Sequence, residues 1–238
     1  MKNKAFSKRI KRCVSALTAF LLMSACLMFS SCSTSKRLVI LLAGDSRSST
    51  DYTFYGETLE KKTGAVVWVE GASGKNAAYN ASAEYLNRVT GREHDVSIWL
   101  VGGNDTGSKG TIGTFSSDSA LAELGEEVVE EISLESEYKG DSFIQAVDYS
   151  MRKYKEFYKD RKDAPVMIYC TDLPQQRDSE DSEWSLEENW ERKRLAIIEC
   201  CEKNGVECLD LYDLCNFDMS IEPMYHEPTD MKNNYGEC

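Results

Sequence analysis

The sequence predicts a three-layer α/β domain in which a mainly parallel sheet is covered by helices on both faces. Two observations carry this prediction. Short runs of branched apolar residues at 38–44, 65–69, 95–101, 165–170 and 206–211 are separated by stretches with helical spacing, and that alternation packs as a parallel sheet joined by right-handed crossovers. The first three runs each lead into a glycine-bearing polar turn, through Gly44-Asp45-Ser46, Ser73-Gly74 and Gly102-Gly103-Asn104-Asp105. In open α/β sheets the crevice beyond the strand ends is where functional groups collect.

The chain of 238 residues opens with six basic residues (Lys2, Lys4, Lys8, Arg9, Lys11, Arg12) and no acidic one before residue 32, followed by an apolar run from Cys13 to Phe29. This is the pattern of a secretory signal, just short of a membrane span. The run closes on Phe29-Ser30-Ser31-Cys32 and resembles a bacterial lipoprotein signal, which implies that Cys32 becomes the lipidated first residue. Phe29 departs from the usual aliphatic residue, Met23-Ser24-Ala25-Cys26 is a rival site, and a plain signal peptide or anchor helix stays open. The expected division is a signal at 1–31, a linker at 32–37 and one domain at 38–238, of ordinary size for a single core.

Without the signal, 22 basic residues face 40 acidic ones, so the net charge moves from -12 to -18. A field of that sign repels phosphate backbones and anionic lipid surfaces, which argues against a nucleic-acid partner. Beyond the signal the cysteines are Cys170, Cys200, Cys201, Cys208, Cys215 and Cys238, none at C-x-x-C spacing, and the histidines number only two. Neither a metal site nor a cofactor is expected on that pattern. Cys170 and Cys208 fall in strand patterns and read as small core residues. Export permits disulfides, and their pairing is open.

After the first strand, Ser48 to Asp51 offers caps for a helix from Tyr52 to Lys62 closed by Gly64, the usual left-handed stop. The run 65–69 is the second strand. Residues 76–89 carry Ala, Tyr and Leu at helical intervals and read as one helix ending near Gly91, ahead of the third strand at 95–101. From Thr106 to Gly140 the pattern weakens into a loop with a short helix, and its acidic stretch from Glu126 to Glu137 reads as a solvated face. Phe143 to Tyr158 is a helix with an apolar and aromatic core face, and Pro165 to Cys170 the fourth strand. A polar surface loop at 175–183 precedes Ser185-Leu186-Glu187-Glu188, a capping box for a helix from Leu186 to Lys203. That helix stops before Asn204-Gly205, and Val206 to Leu211 is the fifth strand. No internal repeat or low-complexity tract interrupts the series.

Ester cleavage at a serine needs a base for the hydroxyl and fixed donors where the carbonyl oxygen becomes negative. Ser46, Gly74 and Asn104, following strands one, two and three, supply a hydroxyl, a turn amide and a side-chain amide that can converge on one crevice. Here the sequence resembles the SGNH, or GDSL-type, hydrolases. Gly44-Asp45-Ser46 matches the nucleophile block, Ser73-Gly74 the oxyanion glycine, and Gly102-Gly103-Asn104-Asp105 the G-x-N-D block, over roughly Leu38 to Leu211. The resemblance implies a flavodoxin-like fold with strand order 2-1-3-4-5. It implies Ser46 as nucleophile, with its own amide, that of Gly74 and the Asn104 side chain forming the oxyanion hole.

The family's last block, D-x-x-H, supplies the base and its orienting acid. His94 precedes the third strand, at the wrong end of the sheet, and His226 has Pro223 three residues before it. Three accounts stay open: His226 works with Glu222, Asp218, Asp230 or no partner; the block lies beyond Cys238; or the base has been lost. The expected activity is an exported, membrane-anchored serine esterase acting on acyl or acetyl esters, carbohydrate esters among them. An acyltransferase and a non-catalytic surface-binding protein on the same fold are the alternatives. Tyr52, Phe54, Tyr55 and Tyr79 lie near the predicted crevice, where they suit either sugar stacking or the core.

Overall fold

A computed structural model of the chain describes residues 36–50, 55–105, 111–171 and 186–215. Its strands are β1 (Val39–Gly44), β2 (Val66–Val69), β3 (Val96–Leu100), β4 (Val166–Cys170) and β5 (Glu207–Leu209). All four pairings are parallel and the order is β2-β1-β3-β4-β5, the order that the resemblance implies. The chain leaves β1 for the β2 edge and then crosses back over β1 to reach β3. That reversal leaves a crevice between the carboxyl ends of β1 and β3.

The period-2 alternation of a strand sends successive side chains to opposite faces. From β1, Ile40 and Leu42 join Ala65, Val67, Val69 and Ile98 on one face, packed with Leu59 of helix α1 (Tyr55–Thr63). Leu41 and Ala43 join Trp99, Met167 and Tyr169 on the other. The larger core there is closed by α2 (Ala77–Asn80), α3 (Ala83–Thr90), the short α4 (Ala120–Glu123), α5 (Phe143–Tyr158) and α6 (Leu186–Asn204). Trp99 stacks on Tyr169 at 5.9 Å and meets Tyr85 and Tyr154 edge-on, arrangements that favour aromatic pairs beyond their buried area. Helix α5 starts at a reciprocal capping box between Ser142 and Gln145. One turn further along, Asp148 of α5 accepts from Lys203 at 2.7 Å and Asn204 at 2.9 Å, tying α5 to the end of α6.

The structure corrects three expectations. The helix expected at 76–89 is two helices. Asn76 accepts from Tyr79 N at 3.1 Å to start α2, while Ser82 is extended and accepts from Tyr85 N at 3.3 Å to start α3. A side-chain oxygen that satisfies a helix N-terminus starts a new helix where spacing alone reads as continuous. The fifth strand is shorter than expected, because Leu211 N donates to Thr171 Oγ1 at 2.9 Å and opens α7 (Leu211–Cys215). Asp210 between them is held by Thr171 Oγ1 at 3.0 Å and by both arms of the Arg194 guanidinium. In the acidic stretch, Glu126 is buried, accepting from Arg192 at 2.6 Å and Gly113 N at 2.8 Å. Glu127, Glu130, Glu131, Glu135 and Glu137 are exposed, as a solvated face would be.

Cys170, Cys200 and Cys201 are buried free thiols, and Cys208 packs half-buried against the same core. The signal segment with Cys32, the loop at 175–183, Ser185 of the expected capping box, and His226 lie outside the described residues.

His94 lies just before β3, at the amino end of the sheet, with Nδ1 against Arg92 O at 2.7 Å and Nε2 against the Tyr154 hydroxyl at 2.6 Å. Burial lowers its pKa below the ordinary 6.5, since desolvation disfavours the imidazolium. The stability this neutral ring provides is present above pH 6.5 and is lost as pH falls through the lowered value. Urea unfolding midpoints at pH 7.5 and 5 are expected to fall further apart in the wild type than in His94→Gln.

Candidate active site

Strand β1 ends at Gly44 with φ +126, and a Cβ there would lie 1.9 Å from Leu100 O of β3. Only glycine fits that approach. Its amide donates to the Tyr85 hydroxyl at 2.6 Å, and its carbonyl accepts from Ala72 N at 2.9 Å and Asn80 Nδ2 at 3.2 Å. The hydroxyl of Tyr85 also lies 3.0 Å from Glu70 O. The break between α2 and α3 puts Asn80 and Tyr85 beneath the end of β1 and beside the β2 turn.

Asp45 follows, with no exposed surface. Its carboxylate accepts from Arg47 N at 3.0 Å, Arg47 Nε at 3.0 Å, Arg47 Nη2 at 2.6 Å and Gly103 N at 2.9 Å, and its own amide donates to Leu100 O at 3.0 Å. Such saturation replaces the hydrogen bonds to water that a buried carboxylate gives up. A Cβ at Gly103 would meet the Arg47 guanidinium carbon at 2.8 Å, so a side chain there would have to displace that arm from Asp45. Ser46 opens a single 3-10 turn, Ser46–Ser48, capped by Asp45. It is partly exposed, and among the described residues neither its hydroxyl nor its amide is hydrogen-bonded to another group.

The β2 turn closes through Lys75 N to Ala72 O at 3.2 Å, with Gly74 in the left-handed region at φ +68. That turn leaves the Gly74 amide unused and exposed. The β3 turn is fastened to it twice: Asn104 Nδ2 donates to Lys75 O at 2.9 Å, and both oxygens of Asp105 accept from Ala77 N, the first amide of α2, at 3.1–3.2 Å. One Asn104 amide hydrogen holds the side chain in place while the other is left for a ligand. Ser46, Gly74 and Asn104 therefore stand on three turns that hydrogen bonds knit into one platform at the β1/β3 crevice.

Beneath the platform lies Lys193 of α6, only 2% exposed, whose Nζ donates to Gly102 O at 2.8 Å. Burial pushes its pKa down, while Asp105 and Asp45 act against that. The Asp105 carboxyl is pushed up by burial and by Asp45, and held down by Ala77 N, Lys193 and Arg47. Arg47, Lys193 and Asp105 thus complete a compact charge cluster with Asp45.

His94 is a core residue remote from this crevice, and His226 lies outside the described residues. Tyr79 packs against the core with its hydroxyl on Glu84 at 3.1 Å, whereas Tyr55 is 40% exposed at the start of α1. Tyr52 and Phe54 are not among the described residues. Sequence reasoning missed Arg47, Tyr85 and Lys193. Lys193 did leave a signal, since it occupies the stripe of α6 shared with Trp190, Ala196 and Ile197, where a charge is out of pattern.

No family model and no curated protein matches this sequence. Among solved structures, a protein from Lactobacillus plantarum superposes with a TM-score of 0.54 at 13% identity, over 80% of this chain and 84% of that one. An acetyl xylan esterase gives a TM-score of 0.43 at 17% identity, over 79% of this chain and 84% of that one. The extracellular lipase of Streptomyces rimosus gives 0.38 at 10% identity, over 73% and 80%. The likeness to the first is one of fold.

The two site glycines are constrained differently, and stability measurements will separate them. Gly74→Ala meets no atom within 4 Å and is expected to lose only about 1–2 kcal/mol for its left-handed backbone. Gly44→Ala, blocked by Leu100 O as well, is expected to leave no cooperative unfolding transition in a denaturant titration.

Proposed function

We propose that this chain, which has the fold of the SGNH or GDSL-type hydrolases, is a serine hydrolase of acyl or acetyl esters. The observation that carries the reading is the platform itself. A hydroxyl free of other hydrogen bonds, two unused backbone amides and a braced Asn amide stand on three turns that hydrogen bonds knit together, which supports the reading. On this reading Ser46 attacks the ester carbonyl, and the amides of Ser46 and Gly74 with Asn104 Nδ2 receive the oxyanion. The alcohol then leaves, and water releases the acyl group from Ser46 in a second addition and collapse. His226 is the proposed base, oriented by Glu222, Asp218 or Asp230 or acting without an orienter. Carbohydrate esters are the proposed natural substrates, with the exposed Tyr55 proposed to stack on a sugar ring.

Hydrolysis of p-nitrophenyl acetate tests the assignment. Ser46→Ala is expected to reduce turnover to background with an unchanged unfolding midpoint. Asn104→Ala is expected to lower kcat by about 100- to 1,000-fold, the loss typical of one oxyanion donor. A rate indifferent to Ser46→Ala overturns the reading. Pro223, standing where the family's acid is expected, favours a second reading as a non-catalytic binding protein. Failure of Ser46 to form an adduct with a phosphonate ester, read by intact mass, would select it.

Export with lipidation at Cys32 is part of the same proposal, supported by the basic start, the apolar run and the small residues before that cysteine. Labelled palmitate is expected to enter the wild-type protein expressed in a bacterium and not Cys32→Ser. A wild type that stays unlabelled excludes the anchor.

A further inference from the structure

Lys193 belongs to the core by position and to the site by contact. A buried ammonium persists where polar groups replace its hydration. The groups that do so here are all in or beside the site turns. Nζ donates to Gly102 O at 2.8 Å, and the charges facing it are Asp105 from the β3 turn and Asp45 and Arg47 from the end of β1. Asp105 is faced in addition by Tyr138 from the loop before α5.

The Gly102 carbonyl opens the turn whose next three residues each make a bond to another turn. Gly103 N reaches Asp45, Asn104 Nδ2 reaches Lys75 O, and Asp105 receives Ala77 N. We propose that Lys193 is a positioning residue for the oxyanion hole: by holding the Gly102 carbonyl and balancing the Asp105 carboxylate, it fixes the Asn104 amide against the Gly74 turn. This rests on the serine-esterase reading of the site. Lys193 does not act as the base, since its hydrogen bond goes to Gly102 and not to the Ser46 hydroxyl.

The charge state of Asp105 is the sensitive link. Burial raises its pKa to about 6, against the opposing pull of Lys193, Arg47 and Ala77 N. The carboxylate is the form that accepts strongly from Ala77 N. Removing the Lys193 charge lets burial and Asp45 push the carboxyl higher, so at neutral pH the bond to Ala77 weakens and the β3 turn loosens from the β2 turn. The working form of the wild type is then present above pH 6 and lost as pH falls through that value, and the loss sets in at higher pH without Lys193.

The test compares wild type, Lys193→Met and Lys193→Arg on p-nitrophenyl acetate across pH, with amide hydrogen exchange on the same proteins. Lys193→Met is expected to lower kcat roughly 10- to 100-fold with KM little changed, as for loss of transition-state positioning. Its acid limb should move to higher pH, and the Ala77 and Gly103 amides should exchange faster. Lys193→Arg, which keeps the charge, should return the limb toward the wild-type position. Lys193→Gln keeps a donor but no charge; it replaces the methionine variant if that does not fold, with the same limb shift expected. An unchanged kcat and acid limb in a variant that has only lost thermal stability overturns the proposal, as does unchanged exchange at Ala77 and Gly103. A wild type without Ser46-dependent turnover sinks the esterase reading instead, and the exchange comparison then decides by itself whether Lys193 holds the turn.

Discussion

Burial of the Asp45 carboxylate is the constraint on which the rest of the site depends. A carboxylate with no exposed surface must have its lone pairs met by donors, and here those donors are Arg47 and the amide of Gly103. The first fixes the residue after Ser46, and the second fixes the residue before Asn104. A structural requirement in the core thus sets the spacing of two groups that chemistry would use. Gly44 follows from the same requirement, because the β3 backbone that carries Gly103 in approaches closer than a Cβ permits.

The sheet order supplies the place, and the caps supply the depth. Reversal of strand order around β1 opens the crevice, but a bare crevice would leave the end of β1 unsupported. The interruption between α2 and α3 lets Asn80 and Tyr85 come up beneath Gly44. A continuous helix over the same residues would have followed one axis and could not have sent both side chains there. The Trp99, Tyr85, Tyr154 and Tyr169 rings pack below this layer. Platform and hydrophobic core are therefore contiguous, which favours a preorganised site over one assembled on binding.

Charge near the platform is handled by pairing inside the fold, not by exposure to solvent. Asp45 pairs with Arg47, and Lys193 faces Asp105, which brings α6 into the same electrostatic unit as the strand turns, while Glu126 in the loop after α4 pairs with Arg192 of α6. Breaking one member leaves a buried charge uncompensated, so these groups are coupled rather than additive. On the acidic stretch Glu127, Glu130, Glu131, Glu135 and Glu137 stay exposed, where solvent and salt screen them.

The five strands, the long helices α5 and α6 and the three site turns were legible in the sequence, because period-2 and helical spacing and glycine-bearing turns are local signals. Ser46, Gly74 and Asn104 stood out for the same reason: each stands in a turn within five residues of a strand end. The split between α2 and α3 rests on the local cap at Ser82, which helical spacing overlooks, whereas the burial of Glu126 and the partners of Tyr85 and Lys193 were decided by tertiary structure alone. Those residues are defined by what lies opposite them, 41 positions away for Tyr85 and Gly44 and 91 for Lys193 and Gly102. A hydrogen bond formed across such a separation exists only once the sheet has closed and water has left, and no local pattern records it.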